Sequence, residues 1–189
     1  MTNLQGLMHY HQIMIKKYNF ENLISIEDVD KVIIKVDELF DSDDWCKSVP
    51  HYQTWPDLFK YDQLFKFKYS FIISCRLYLN KEVDIVGIKC WCYMNFYSNF
   101  LTLTSNHNPD ILWHSHAENN TKKLSGIFYL SNPKDVDDYS STGTFFRGCP
   151  NIVPQDFHWF IYPSYLMHRP GKIQSEQKRY VLAADLYYE

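Results

Sequence analysis

The chain has 189 residues, 46% of them hydrophobic and 17% aromatic, with a formal net charge of -3 at pH 7. This composition excludes a disordered chain, because its large side chains bury enough apolar surface to offset ordering entropy, and the length suits one domain rather than two. The small negative charge, with no local block of Lys and Arg, gives no sequence evidence for a nucleic-acid partner.

The opening stretch MTNLQGLMHYHQIMIKKYNF has no basic segment followed by an unbroken apolar run. No window approaches the roughly 20 apolar residues of a membrane span, so a cytoplasmic protein with no membrane partner is the expectation. Five cysteines, Cys46, Cys75, Cys90, Cys92 and Cys149, are an odd number in a chain too large to need a disulfide framework, which points to reduced thiols. The i, i+2 spacing of Cys90 and Cys92 puts both on one face of an aromatic-rich strand. That reads as core packing rather than a metal clip.

The first half carries helical periodicity. In SIEDVDKVIIKVDELF, Ser25 and Asp28 form a capping-box-like start, and Val29, Val32, Ile33, Val36, Leu39 and Phe40 then recur at helical spacing, predicting a helix over 26–40. Prolines 50 and 56 punctuate a loop. The stretch after them, DLFKYDQLFKFKYSFIISCRLYL, predicts a second, longer helix burying Leu58, Leu64, Phe65, Phe71, Ile72 and Cys75.

Around Val83 the period changes to that of strands. VDIVGIKCWCYMNFY, LSGIFYL, GTFF, HWFIYP and RYVLAADLYY are short β-branched and aromatic runs separated by Asn, Pro, Gly, Ser and Asp clusters. Helices first and strands after predict a single α+β, mainly β, domain over 1–189. Residues 1–80 form a helical N-terminal part, and residues 81–189 form a sandwich or jelly roll with the helices packed on one face. The acidic insertion SNPKDVDDYSSTG is too long for a tight hairpin and reads as a flap near an open end.

The chemistry concentrates in ILWHSH. On an extended backbone His114 and His116 project to one face, because side chains alternate with a period of two, so both imidazoles can reach one cation. His168, after the HWFIYP strand, offers a third ligand. Arg179 lies eleven residues further on, heading an apolar strand where its planar fork needs a partner, best a carboxylate. A salt bridge to Asp185 or Glu176 is the structural alternative. Arg169 is placed to pair with surface acids, and His158 is read as solvent-facing.

The order NFY, ILWHSH, LSGIFYLSNP, TGTFF and IYPSYLMHRP…KRYVLAADL, over about the last hundred residues, resembles the Fe(II)- and 2-oxoglutarate-dependent oxygenases, closest to members with an HxH motif. The resemblance implies a double-stranded β-helix of cupin-like jelly-roll form. It also implies Fe(II) held by His114, His116 and His168, and 2-oxoglutarate as a small-molecule cosubstrate gripped by Arg179 with a hydroxyl from Tyr97 or Tyr129. The implied reaction is that of a dioxygenase, an oxidoreductase that hydroxylates an unidentified substrate with release of succinate and carbon dioxide.

The family usually carries Asp or Glu where this chain has His116, so a facial triad of two histidines and a carboxylate becomes three histidines. A register using His116 and Glu118 would restore an HxE motif. His114 with His116 is favoured because Ile111 precedes it at the IxxHxD spacing. Two other functions remain open on the same residues: a Zn(II) hydrolytic enzyme using the three histidines and a water, and a cupin-like binding module without turnover.

Overall fold

The computed structural model of the chain describes residues 14–42, 45–46, 53–54, 57–97, 112–118, 121–136 and 138–189. Ile111 and the histidines His9, His11, His51 and His107 lie outside them. In chain order the elements are β1 (Lys16–Asn19), α1 (Ile26–Asp41), β2 (Trp45–Cys46), β3 (Gln53–Thr54), α2 (Phe65–Leu79), β4 (Ile85–Asn95), β5 (Lys122–Ser131), β6 (Thr144–Phe146), β7 (His158–Pro163), β8 (His168–Pro170) and β9 (Arg179–Tyr188). A seven-stranded sheet runs β1-β7-β5-β9-β4-β3-β2, and β6 pairs with β8 in a second sheet. Single bridges from His114 to His168 and from Thr144 to Ile152 extend that second sheet on both sides.

Alternation along the central strands builds two cores from one sheet. On β4, β5 and β9, Cys90, Cys92, Met94, Leu124, Phe128, Leu182, Ala184 and Leu186 face the helices, where they pack with Val32, Val36, Phe67, Phe71 and Cys75. The residues between them, among them Ile127, Tyr129 and Val181, face the second sheet and meet Phe146, Ile152 and Tyr162. β5 and β9 are therefore buried on both faces over most of their length, whereas β4 is buried on the helix side and half-buried on the other. The Cys90 and Cys92 thiols belong to the helix-side core, and burial raises both above the ordinary thiol range.

Helix α1 begins as its sequence predicts. The Ser25 side chain accepts from the Asp28 backbone N–H and Asp28 accepts from that of Ser25, closing a capping box. Asp28 also binds Lys66 Nζ at 2.7 Å, tying the start of α1 to α2.

The second helix is shorter than its periodicity suggests. Asp57 Oδ1 accepts from both Phe59 N and Cys90 N, and Tyr61 is extended, so two 3-10 turns (Leu58–Lys60 and Asp62–Leu64) precede a helix that starts only at Phe65. Leu58, Leu64, Phe71 and Cys75 are buried as expected and Ile72 is half-buried, but Phe65 is 70% exposed, and Phe67, one turn before Phe71, is buried instead. The N-terminal part is also not purely helical, since β1 pairs with β7 and β3 pairs with β4.

Gly126 on β5 lets α2 lie against the sheet, because a Cβ there would meet the Phe71 ring and come within 2.9 Å of Ile161 Cδ1. Gly126→Ala is expected to cost roughly 1–3 kcal/mol through overpacking. That corresponds to a fall in Tm of about 2–4 °C per kcal/mol for a chain this size. A thermal melt checks it, and an unchanged Tm would show that α2 moves away freely. Among the described residues no helix is long and apolar enough to cross a membrane.

Candidate functional site

The first link between the two sequence-distant histidine segments is made by backbone. His114 N donates to His168 O at 3.0 Å and His168 N donates to His114 O at 2.8 Å, so the segment before β5 is stitched to β8 at the histidines themselves. His116 N donates to Ser164 O at 2.9 Å, which holds the next turn of the same segment. With period-two alternation, His114 and His116 then face inward together. One ring nitrogen from each of His114, His116 and His168 lies within 4.8 Å of the others, and among the described residues no other trio of His, Cys, Asp or Glu converges in this way.

The hydrogen bonds decide which nitrogens carry the protons. His114 Nδ1 contacts Leu112 O at 2.8 Å and His168 Nδ1 contacts Leu166 O at 2.9 Å. A carbonyl only accepts, so both Nδ1 atoms carry the proton and both Nε2 atoms keep a lone pair. His116 Nδ1 donates instead to Asp185 Oδ1 at 2.9 Å. Tyr162 Oη lies 3.4 Å from His168 Nε2 and, with its phenol pushed well above the ordinary range by burial, stays protonated as the donor.

Asp185 is a buried carboxylate that the sequence pairs with Arg179 as an alternative, and the structure gives it other partners. It accepts from Ser125 Oγ at 2.6 Å and lies 3.5 Å from Lys123 Nζ as well as bonding His116. Burial raises its carboxyl, but the hydrogen bonds from His116 and Ser125 and the Lys123 charge outweigh that and lower it below the ordinary carboxylate range. One signal in the sequence points to it. In RYVLAADLYY, Arg179, Val181, Ala183 and Asp185 share a face by alternation, and an acid on a buried face requires partners.

Arg179 is fully buried. Its guanidinium donates to Thr142 O, to Gly143 O at 3.4 Å and to Asn95 Oδ1 at 2.8 Å, while Nε and the Asn95 amide nitrogen have no partner. The end of the acidic insertion, with its 3-10 turn at Tyr139–Thr142, is thereby anchored on Arg179. A cavity of about 330 Å³ is lined by His114, His116, His168, Arg179, Tyr93, Tyr162 and Thr144 among others. Tyr97 lies outside it and is exposed, whereas Tyr129 is buried behind it, its hydroxyl 2.7 Å from Thr144 Oγ1. Tyr93 and Tyr162, which the sequence does not distinguish from the other thirteen tyrosines, are on the wall among the described residues.

Two other sequence expectations resolve by geometry. Glu118 is exposed and turned outward, accepting from Lys123 Nζ at 2.9 Å and Tyr187 Oη at 3.0 Å, so the His116/Glu118 register does not converge on the site. Glu118→Gln is expected to leave metal affinity within about twofold of the parent, in line with a surface charge remote from any bound ion, and chelator competition measures it. Arg169 lies over the Trp113 and Phe145 rings, at 5.2 and 4.5 Å.

No protein-family model matches the chain, and no curated protein does at the level of sequence. Solved structures do match. A prolyl hydroxylase from Trichoplax adhaerens, in complex with a hypoxia-inducible-factor oxygen degradation domain peptide, superposes with a TM-score of 0.63 at 14% identity, over 98% of this chain and 91% of that one. The non-heme alpha-ketoglutarate-dependent epimerase SnoN of nogalamycin biosynthesis gives 0.65 at 9% identity, over 97% and 82%. HygX from Streptomyces hygroscopicus, with nickel and 2-oxoglutarate bound, gives 0.60 at 9% identity, over 97% and 86%. The chain has the double-stranded β-helix fold of the 2-oxoglutarate oxygenases.

On this oxygenase fold the histidine cluster has a pH signature of its own. Burial first, and then the charges on His114 and His116, hold the His168 pKa down at about 3 from the ordinary 6.5. Between those values the unfolded chain binds a proton that the folded chain refuses. Stability is therefore full above pH 6.5 and is lost as pH falls toward 3, by at most about 5 kcal/mol. The Tm of metal-free protein is expected to fall across that window and a His168→Gln protein to fall less steeply. Equal slopes would remove His168 as the source.

Proposed function

We propose that the protein is an Fe(II)- and 2-oxoglutarate-dependent dioxygenase that hydroxylates a substrate not yet identified, releasing succinate and carbon dioxide. The observation that carries this reading is the convergence, in one cavity, of three imidazoles whose ligand nitrogens lie within 4.8 Å of one another and a buried guanidinium that has an unpartnered Nε. The donor set fits the group: neutral imidazole suits a borderline divalent ion, and three facial ligands leave coordination positions open. Bound Fe(II) supplies the oxygen-activating chemistry. The chain's own residues bind, orient and insulate: His114, His116 and His168 hold the ion, and Arg179 grips the distal carboxylate of the cosubstrate through charge-assisted bonds. Tyr93, Tyr162 and Thr144 line the space between them.

A Zn(II) hydrolytic site would use the same three imidazoles with a water. Arg179 favours the oxygenase, because hydrolysis needs no buried cation facing the metal, whereas a dicarboxylic cosubstrate does. The test is an anaerobic titration of the Fe(II)-loaded protein with 2-oxoglutarate, followed by visible absorption. A metal-to-ligand charge-transfer band that saturates with 2-oxoglutarate is the expected result. Fe(II) binding with no band at any 2-oxoglutarate concentration would overturn the cosubstrate assignment and leave the zinc reading.

A further inference from the structure

His114 and His168 fix their Nδ1 protons on backbone carbonyls, yet His116 fixes its own on the carboxylate of Asp185. His116 is also the residue standing where an HxD or HxE pattern would carry an acid. We infer that Asp185 is a positioning residue that returns the missing carboxylate to the site, one hydrogen bond further out, by holding His116 with Nε2 toward the ion and raising its basicity. This rests on the metal-site reading above.

The surroundings of Asp185 are built for that task. Its side chain is only 7% exposed, and an isolated carboxylate there would be costly, so each contact matters. Oδ1 accepts from both His116 Nδ1 and Ser125 Oγ, which fixes the carboxylate plane against the imidazole, and Ser125 Oγ lies 3.3 Å from the same ring nitrogen. Ser125 is directly opposite Asp185 in the β5–β9 ladder, so the pair is held by sheet register rather than by a loop. Lys123 Nζ sits 3.5 Å from Oδ2 but is shared with Glu118, so it leans on the carboxylate without capturing it. A ligating imidazole whose other nitrogen donates to a carboxylate is oriented and made a stronger donor, and loss of such a partner typically weakens metal binding about 10–100-fold.

The experiment is Co(II) affinity by chelator competition on the full chain, with the visible Co(II) spectrum and a thermal melt as controls for geometry and folding. Asp185→Asn keeps shape and an acceptor but removes charge, and is expected to raise the Co(II) Kd by about 10–100-fold. Putting an acid directly at the ligand position in that background, as H116D/D185N, is expected to recover affinity to within about threefold of the parent. H116D alone sets two carboxylates side by side and binds less well than the double variant, a coupling that independent sites do not show. If D185N fails to fold, Ser125→Ala carries the test, with a Kd increase of about threefold expected from loss of one hydrogen bond.

D185N, or S125A in its place, binding Co(II) as tightly as the parent overturns the role of Asp185 and leaves the metal site standing. Simple addition of the two penalties in the double variant does the same. A parent chain that does not bind Co(II) overturns the metal-site reading and this inference with it.

Discussion

His114→Ala is expected to abolish stoichiometric metal binding, with the Kd for Co(II) or Fe(II) rising by well over about a hundredfold, since loss of an outer partner alone costs 10–100-fold and a ligand costs more. His114 is the best of the three for this experiment because its ring carries little of the fold. Its Nδ1 is held by the local Leu112 carbonyl, and its tie to β8 runs through backbone atoms that alanine keeps. His168, at 4% exposure, is packed against Phe146 and Tyr162, so its removal mixes site loss with core damage. Chelator competition together with a thermal melt separates the two effects. An H114A protein that binds metal like the parent would end the three-histidine assignment.

Arg179→Met is the second large effect, and its signature is selectivity for one ligand over the other. Removing one partner of a buried, hydrogen-bonded charge pair costs about 2–5 kcal/mol, so affinity for 2-oxoglutarate is expected to fall by on the order of a hundredfold or more. Metal affinity should move by less than about threefold, because the guanidinium makes its hydrogen bonds to Thr142, Gly143 and Asn95 rather than to the imidazoles. The variant also removes the donor to Asn95 Oδ1, and a buried acceptor left without one costs roughly 1–3 kcal/mol. Arg179→Lys is therefore the companion: it keeps the charge and loses the fork, and is expected to bind 2-oxoglutarate more weakly than the parent and more tightly than R179M. The charge-transfer titration reads both, and R179M binding 2-oxoglutarate like the parent would remove Arg179 as the anchor.

Much of the strand content is legible because alternation is local. Cys90 and Cys92 on one face, Trp91 and Tyr93 on the other, follow from the pleat alone, and the structure places the first pair with the helices and the second on the cavity wall. The start of α2 is not legible in the same way. Phe67, at i−4 from Phe71 and i−8 from Cys75, continues their face while Phe65 does not, and the helix begins only at Phe65 because Asp57, whose carboxylate joins the turn before it to Cys90 on β4, 33 residues away, holds the preceding residues in 3-10 turns. Asp185 shows the same limit inside the site: the pattern reveals an acid on the inner face of β9 and offers Arg179 as its partner, whereas the structure gives it His116.

The amino-acid order by itself determined where backbone periods change, that α1 starts at a Ser25/Asp28 box, and that two imidazoles one residue apart share a face, since each depends on geometry within a few residues. It also supplied His168 and Arg179 as residues needing company. Only the tertiary structure decided which company: the β5–β9 register sets Ser125 beside Asp185, the 114–168 bridge sets two histidines together, and Asn95 reaches Arg179 across the β4–β9 ladder. Those pairings join residues tens of positions apart, and strand register fixes them because a slip of one residue would turn every inward side chain out.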